Sequence, residues 1–245
     1  SLIARGAGTS IAGQVVGYGI VVDIGKYMNN ILEINTNERW VRVQPGVVLD
    51  ELNKVLEVHG LFFSPETSTS DRCMIGGMVG NNSCGAHSLV YGSTREHLIS
   101  VKAVLSNSSV AEFGPISKEE FEKKCELKSL EGELYEHISA LFSDPDNRKE
   151  VFDGYPDKSI QRRNTGYALD LLLDSEPFEG SNKKFNFSKL LAGSEGTLAF
   201  FTEFKLHLDP LPSQVKGLVC VHCATLEDAL KGNLIALKYN PQAVE

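Results

Sequence analysis

Long apolar runs are missing from this sequence. None approaches the roughly 18 consecutive residues that a membrane-crossing helix needs, so no transmembrane segment is expected. Positive charge is in the minority, with 24 Lys and Arg against 32 Asp and Glu and a formal net charge of −8. A chain of that sign gains nothing from a polyanion, which argues against nucleic acid as a partner. One local positive site could still hold a single phosphate group. The cysteines do not come in an even set. There are five, Cys73, Cys84, Cys125, Cys220 and Cys223, mostly far apart, so a disulfide framework is not expected and a reducing compartment fits. The expected location is the cytoplasm, either free or peripheral to the inner face of a membrane. Cys220-x-x-Cys223 has no second ligand pair beside it, and the run Leu218 to Val221 reads as a buried strand, so both are expected to be core cysteines rather than a metal or redox pair.

The composition that is present supports a real core: 42% hydrophobic and 23% charged residues. Ser1 to Ala4 reads as a strand end, and the chain therefore reads as a piece that begins inside a domain. Val15 to Ile24 reads as a strand, and Ile31 to Ile34 and Trp40 to Gln44 as a hairpin turning at Asn35 to Arg39. Val47 to His59 carries a helical period through Leu49, Leu52, Val55 and Leu56, with Gly60 as its stop. Phe62 to Gly92 is rich in Gly, Ser, Thr and Asn, a long irregular loop of the kind that serves function, with one short apolar piece at Ile75 to Val79. Leu98 to Leu105 and Val110 to Phe113 read as paired strands, Ser117-x-x-Glu120 as a capping box, and Leu130 to Leu141 as a helix. Ser143 to Lys149 and Glu176 to Lys184 read as surface loops. Leu198 to Leu208 and Val215 to Val221 read as strands, and Thr225 as the cap of a helix running to Lys238. Strands and helices do not alternate regularly, so the fold class is α+β rather than a doubly wound sheet.

Three glycine-rich segments stand out. In Arg5-Gly6-Ala7-Gly8-Thr9-Ser10, glycines let successive N–H groups point at one anion, and Thr9, Ser10 and Arg5 add donors, a pattern suited to a diphosphate. A plain turn between strands is the alternative. The second runs Pro65-Glu66-Thr67-Ser68-Thr69-Ser70 and then Ile75-Gly76-Gly77-Met78-Val79-Gly80-Asn81-Asn82-Ser83-Cys84-Gly85. A helix start after the hydroxyl run would offer free N–H groups to a phosphate, and the glycines would admit a flat ring. Its alternative is a flexible loop. The third, Gly193-Ser194-Glu195-Gly196-Thr197-Leu198, reads in isolation as a β-turn. None of them is a Walker loop or the dinucleotide fingerprint G-x-G-x-x-G.

Taken in order, RGAGTSIAGQ, VQPGVVLDELN, PETSTSDRCMIGGMVGNNSCGAHSLVYGSTREH, RRNTGYALDLL and LLAGSEGTLAFFTEFKLHLDPLP span residues 5 to 212. Together they resemble the FAD-binding (PCMH-type) domain of the vanillyl-alcohol-oxidase superfamily. The nearest branch is that of the FAD-linked D-lactate, glycolate and D-2-hydroxyglutarate dehydrogenases, and the NNSCGAHS wording is similar to the large bacterial members fused to an iron–sulfur module. The resemblance implies two α+β subdomains with noncovalent FAD between them. Residues 1–60 would be the end of a truncated first subdomain, 61–212 the second, and 213–245 the start of a substrate or cap domain.

By the same resemblance, Arg5, Gly6, Ala7, Gly8, Thr9 and Ser10 hold the pyrophosphate, and Thr67, Ser68, Thr69 and Ser70 continue that cradle. Ile75, Gly76, Gly77, Asn82, Gly85, Tyr91 and Gly92 line the adenosine and flavin path, and Glu195, Gly196, Thr197 and Leu198 sit against the flavin. Thr9 stands where some relatives carry the His that attaches FAD covalently. Asn107-Ser108 replaces a common Asp-Gly turn, and Ala199 a common Gly. The implied activity is oxidation of a small 2-hydroxy acid by hydride transfer to flavin. The implied catalytic base, and any divalent metal or iron–sulfur cluster, belong to segments outside this chain, so the catalytic residues stay unassigned here and the piece alone is expected to hold FAD weakly or not at all. His87 and the pair Arg162-Arg163 are the residues to watch for catalysis or a substrate carboxylate, against blander roles as a loop hydrogen bond and a solvated face. A flavin reductase of the same superfamily and a non-catalytic flavin or nucleotide module are the alternative functions. The hydroxy acid, the electron acceptor and the oligomeric state are left open.

Overall fold

In the computed structural model the described residues are 2–160, 162–164, 166–179 and 182–244. The first elements are β1 (Leu2–Arg5), β2 (Ile20–Asp23), β3 (Ile31–Asn35), β4 (Trp40–Val43), α1 (Leu49–Glu57) and β5 (Leu61–Phe62). Next come three short helices, α2 (Ile75–Asn81), α3 (Ser88–Tyr91) and α4 (Thr94–His97), then β6 (Leu98–Val104) and β7 (Val110–Phe113). Helices α5 (Lys118–Cys125), α6 (Leu130–Ser143), α7 (Pro145–Gly154), α8 (Leu169–Leu173), α9 (Glu176–Glu179) and α10 (Ser188–Leu191) follow. The chain continues through β8 (Phe200–His207) and β9 (Asp209–Pro210) to α11 (Leu226–Ala236) and a 3₁₀ turn at Leu237–Tyr239.

The organising layer is a sheet in the order β3-β4-β8-β6-β7, all of whose pairs are antiparallel. Strand β8 pairs with β4 on one side and β6 on the other, so main-chain hydrogen bonding is continuous across residue 60. Two small pairs flank it: parallel β1–β2 and antiparallel β5–β9. The helical period of α1 buries Leu49, Leu52 and Leu56 completely or nearly so. Helices α5 and α6 close the core through an aromatic cluster in which Phe121–Phe185 and Tyr135–Phe187 meet edge-on at centroid separations of 4.7 Å, the geometry that ring quadrupoles favour. Ser117 and Glu120 form the expected capping box of α5, with Ser117 N–H donating to Glu120 Oε2 at 2.7 Å.

Several expectations need correction. The strand expected over Val15–Ile24 is confined to β2, because its ladder partner among the described residues, β1, offers four residues. The irregular stretch Phe62–Gly92 contains α2 and α3. Ser143–Lys149 is not a loop: Asp144 is an N-cap accepting from Asp146 N–H at 2.8 Å, and Pro145 occupies the first helical position of α7. Proline is tolerated there because that N–H has no partner inside a helix. Glu176–Lys184 begins with α9, while Gly180 and Ser181 lie outside the described residues. Val215–Val221 forms no ladder and lies open, with Val215 91% and Leu218 89% exposed, and Cys220 and Cys223 are exposed rather than core. Alternating apolar residues make a strand only where a neighbour supplies the other half of the hydrogen bonds.

Candidate functional site

A cavity of about 310 Å³ lies where β1, α2 and the turn following α10 converge. That volume is at the low end of the ~300–1,000 Å³ usual for small-molecule sites.

Its first wall is the loop after β1. Gly6, Ala7, Gly8, Thr9 and Ser10 all line the cavity. Gly8 has φ +68°, open to glycine at no cost. Among the described residues, the backbone N–H groups of residues 7–12 find no backbone acceptor. A row of unpaired main-chain donors beside two hydroxyls is an anion cradle. Arg5 is not on the cavity wall; its guanidinium pairs with Asp23 at 3.7 Å and lies beside Gly8 of the loop.

The second wall is α2 with the hydroxyl run before it. Thr67, Ser68 and Thr69 reach the cavity, and Thr67 Oγ1 also contacts Cys73 Sγ at 3.2 Å. Burial pushes the Cys73 thiol up, so it stays a neutral wall group. Ser70 instead gives its carbonyl to Asp50 N–H in the first turn of α1 at 3.1 Å. The start of α2 is pressed against Pro45: Gly76 N–H donates to Pro45 O at 2.8 Å, and a Cβ on Gly76 would come within 2.7 Å of Pro45 Cβ. Ile75 N–H donates to Val47 O at 2.9 Å, and Gly77 N–H has no backbone acceptor among the described residues. A Cβ on Gly77 would meet nothing within 4 Å, so its backbone faces open space.

The third wall is the turn Gly193–Gly196. Gly193, Glu195 and Gly196 all have positive φ, +86°, +54° and +75°. Gly193 and Glu195 N–H groups donate to Val79 O and Gly80 O at 2.9 and 3.0 Å, which hangs the turn on α2. Arg95, in α4, donates from Nη2 to Ala192 O at 2.6 Å and to Gly166 O at 2.7 Å. In return Lys189, in α10, donates from Nζ to Arg95 O at 2.8 Å and Leu98 O at 2.7 Å. Each four-residue helix is thus finished at its C-terminus by a cation from the other. Burial lowers Arg95 and brings Lys189 down to about 8. Across the cavity rim, Gln14 Nε2 donates to Glu195 Oε2 at 2.7 Å. Burial raises the Glu195 carboxyl, and Gln14 Oε1 is buried with no partner among the described residues.

Of the residues named from sequence, Gly6 to Ser10, Thr67 to Thr69, Gly76, Gly77, Glu195 and Gly196 come together on the cavity wall. Arg5, Ser70, Ile75, Asn82, Gly85, Tyr91, Gly92, Thr197 and Leu198 lie off it. Asn82 is wholly buried at φ +52°, where its Oδ1 accepts from Ser93 Oγ and Arg95 N–H, both at 2.8 Å. Gly85 packs against Glu66, since a Cβ there would lie 2.2 Å from Glu66 Cγ. Tyr91 stands edge-on to Phe62 with centroids 5.4 Å apart, and Thr197 Oγ1 bonds Tyr167 Oη at 2.6 Å. His87 Nδ1 lies 2.6 Å from Glu66 Oε1. Arg163 is committed to Asp170 and Pro156 O, while Arg162 Nε donates to Cys84 Sγ at 3.2 Å. Gln14, Met74, Pro45 and Phe201 line the cavity without having been named from sequence. Gln14 closes the RGAGTSIAGQ segment, so its signal was in plain view.

Residues 1–114 match a family model described as an FAD binding domain. The chain is 37% identical to D-2-hydroxyglutarate dehydrogenase of Pantoea ananatis, over 98% of this chain and 23% of that protein. It is 38% identical to the enzyme of the same name from Pseudomonas putida, over 100% of this chain and 23% of that one. It is 36% identical to glycolate oxidase subunit GlcD of Bacillus subtilis, over 100% of this chain and 39% of that subunit. The chain spans about a quarter of the length of the first two curated relatives. Among solved structures, an alkyldihydroxyacetonephosphate synthase superposes with a TM-score of 0.53 at 18% identity, covering 87% of this chain and 28% of that one. That likeness is one of fold. The unpaired donors of residues 7–12, the open backbone at Gly77 and the orphan Gln14 Oε1 fit the FAD that the family match implies. No helix among the described residues is long and apolar enough to cross a membrane.

Proposed function

We propose, from residues 1–114 being an FAD binding domain, that this chain is the FAD-holding part of a flavin-dependent dehydrogenase that oxidises a small 2-hydroxy acid. The observation that carries the reading is the cavity itself: an anion cradle, an open glycine backbone and a glycine-built turn facing one space. The names of the relatives, which are dehydrogenases and an oxidase subunit for 2-hydroxy acids, supply the substrate class.

In this reading the N–H groups of residues 7–10, with Thr9, Ser10 and Ser68, hold the diphosphate noncovalently. Gly76 and Gly77 let a flat ring approach the backbone. Met78 and Phe201 keep the inner wall dry. Bound FAD would accept the hydride from the alcohol carbon. This reading places the base that takes the hydroxyl proton in the substrate domain, in segments outside this chain. The exposure of residues 215–221 supports assigning 213–245 to the start of a substrate domain. Any iron–sulfur or divalent metal centre belongs to other segments, and a cytoplasmic location, free or at the inner membrane face, goes with this reading.

The test is the visible spectrum of the full-length protein, followed by anaerobic addition of D-2-hydroxyglutarate, glycolate and D-lactate. Flavin bands that bleach with one acid support the proposal and name the substrate. A protein that takes up no flavin when FAD is supplied overturns it.

A further inference from the structure

We propose that Gln14, oriented by Glu195, forms a hydrogen-bonding subsite whose Oε1 accepts from an N–H on the edge of a nitrogen heterocycle in the bound cofactor. The proposal rests on the FAD reading above. Three observations carry it. The two residues stand 181 positions apart in sequence, yet their side chains meet at 2.7 Å on the cavity rim. The carboxylate oxygen accepts, so the amide nitrogen of Gln14 points at Glu195, which fixes Oε1 as the acceptor that remains. That Oε1 is buried and has no partner among the described residues, a state that is unfavourable unless something donates to it.

Glu195 is held in place rather than resting there. It sits at φ +54° between glycines at positive φ, with its N–H bonded to Gly80 O at 3.0 Å. An orphan acceptor complements a ring edge that carries an N–H. Both ends of FAD have such an edge: the amino group and ring nitrogen of adenine, and the imide of the flavin pyrimidine ring. The space beside the pair is open, since a Cβ on Gly196 would meet nothing within 4 Å.

The experiment is calorimetric titration of the flavin-stripped full-length protein with FAD, with FMN (flavin without adenine) and with ADP (adenine without flavin). Gln14→Leu is expected to weaken FAD about tenfold, and to weaken either FMN or ADP by a similar factor while sparing the other. The half that responds names the edge. Gln14→Glu, of nearly equal size, removes the amide donor, sets two carboxyls face to face and is expected to lose at least as much. Glu195→Gln keeps an acceptor for Gln14 Nε2, so it is expected to stay within about twofold of the parent. An FAD affinity within twofold in both Gln14 variants overturns the subsite and leaves the FAD reading standing. Equal loss for FMN and ADP also overturns it, since that marks a loosened loop. A parent protein that binds no FAD removes the underlying reading itself.

Discussion

On one side of the cavity, residues 6–19 run as a loop with Gly8 and Gly13 at positive φ and Ile11 and Val16 open to solvent. On the other, the turn Gly193–Gly196 hangs on α2 by two main-chain bonds and is pinned by buried Arg95 and by Lys189. Both are glycine-rich and both face the same space. One keeps its donors unpaired and is held by few contacts, as a part that takes its shape from a ligand would be. The other is shaped before any ligand arrives, because its carbonyls and glycines are spoken for by the core. Stability and binding should therefore separate between the two walls.

Arg95→Ala is the harshest test of the pinned wall. It strands Ala192 O and Gly166 O and should cost about 3 kcal/mol, read as a shift in urea midpoint. A loss below about 1 kcal/mol would erase the distinction between the walls. Lys189 sharpens it through pH. Its folded value lies near 8, against 10.5 for the unperturbed group. The folded protein therefore gives up that proton first. Between about pH 8 and 10.5 the unfolded chain binds more protons, so stability rises with pH, by up to about 3 kcal/mol, and is lost again as pH falls through 8. Urea midpoints across that window should rise less steeply in Lys189→Met than in the parent. Gly193→Ala places a Cβ at φ +86° and 2.5 Å from Arg95 Nη2, and should cost about 2 kcal/mol. On the loop wall, Gly8→Ala at φ +68° should cost only about 1 kcal/mol of stability yet weaken FAD roughly tenfold, measured in parallel by melting and titration. Ile11→Ser, at a fully exposed position, should change stability by less than about 0.5 kcal/mol.

What could be read from sequence follows the same divide. The hairpin at Asn35–Arg39, the α1 period through Leu49, Leu52 and Leu56, and the Ser117–Glu120 box are local devices, and each is where the residues say, while Val55, read as part of the same period, is instead 43% exposed. The glycine loop was legible for the same reason, since Gly6 and Gly8 carry their conformational licence with them. Asp144-Pro145 misled because the pair that starts many turns also starts helices, as N-cap and first helical residue. Val215–Val221 misled because a strand is a property of two segments, and among the described residues none pairs with it. Asn82 was assigned to a ligand path, yet its amide is consumed by Ser93, Arg95 and Asn164, partners up to 82 residues away. A polar residue in a glycine-rich motif announces that it bonds something; whether that something is a ligand or the protein is decided by long-range packing that no local pattern encodes. The apposition of Gln14 and Glu195 is hidden for the same reason.

The exchange of cations between α4 and α10 also bears on how this domain can be changed over time. Neither helix has a complete C-terminus of its own, so the segments 88–98 and 188–198 behave as one inheritable unit although ninety residues separate them. A chimera that takes one segment from a relative must take the other, or bring a matched pair of cation and carbonyl with it. The stretch between them is tied to the unit at Gly166, whose carbonyl the same Arg95 binds at 2.7 Å, so an exchange would have to carry that position along as well.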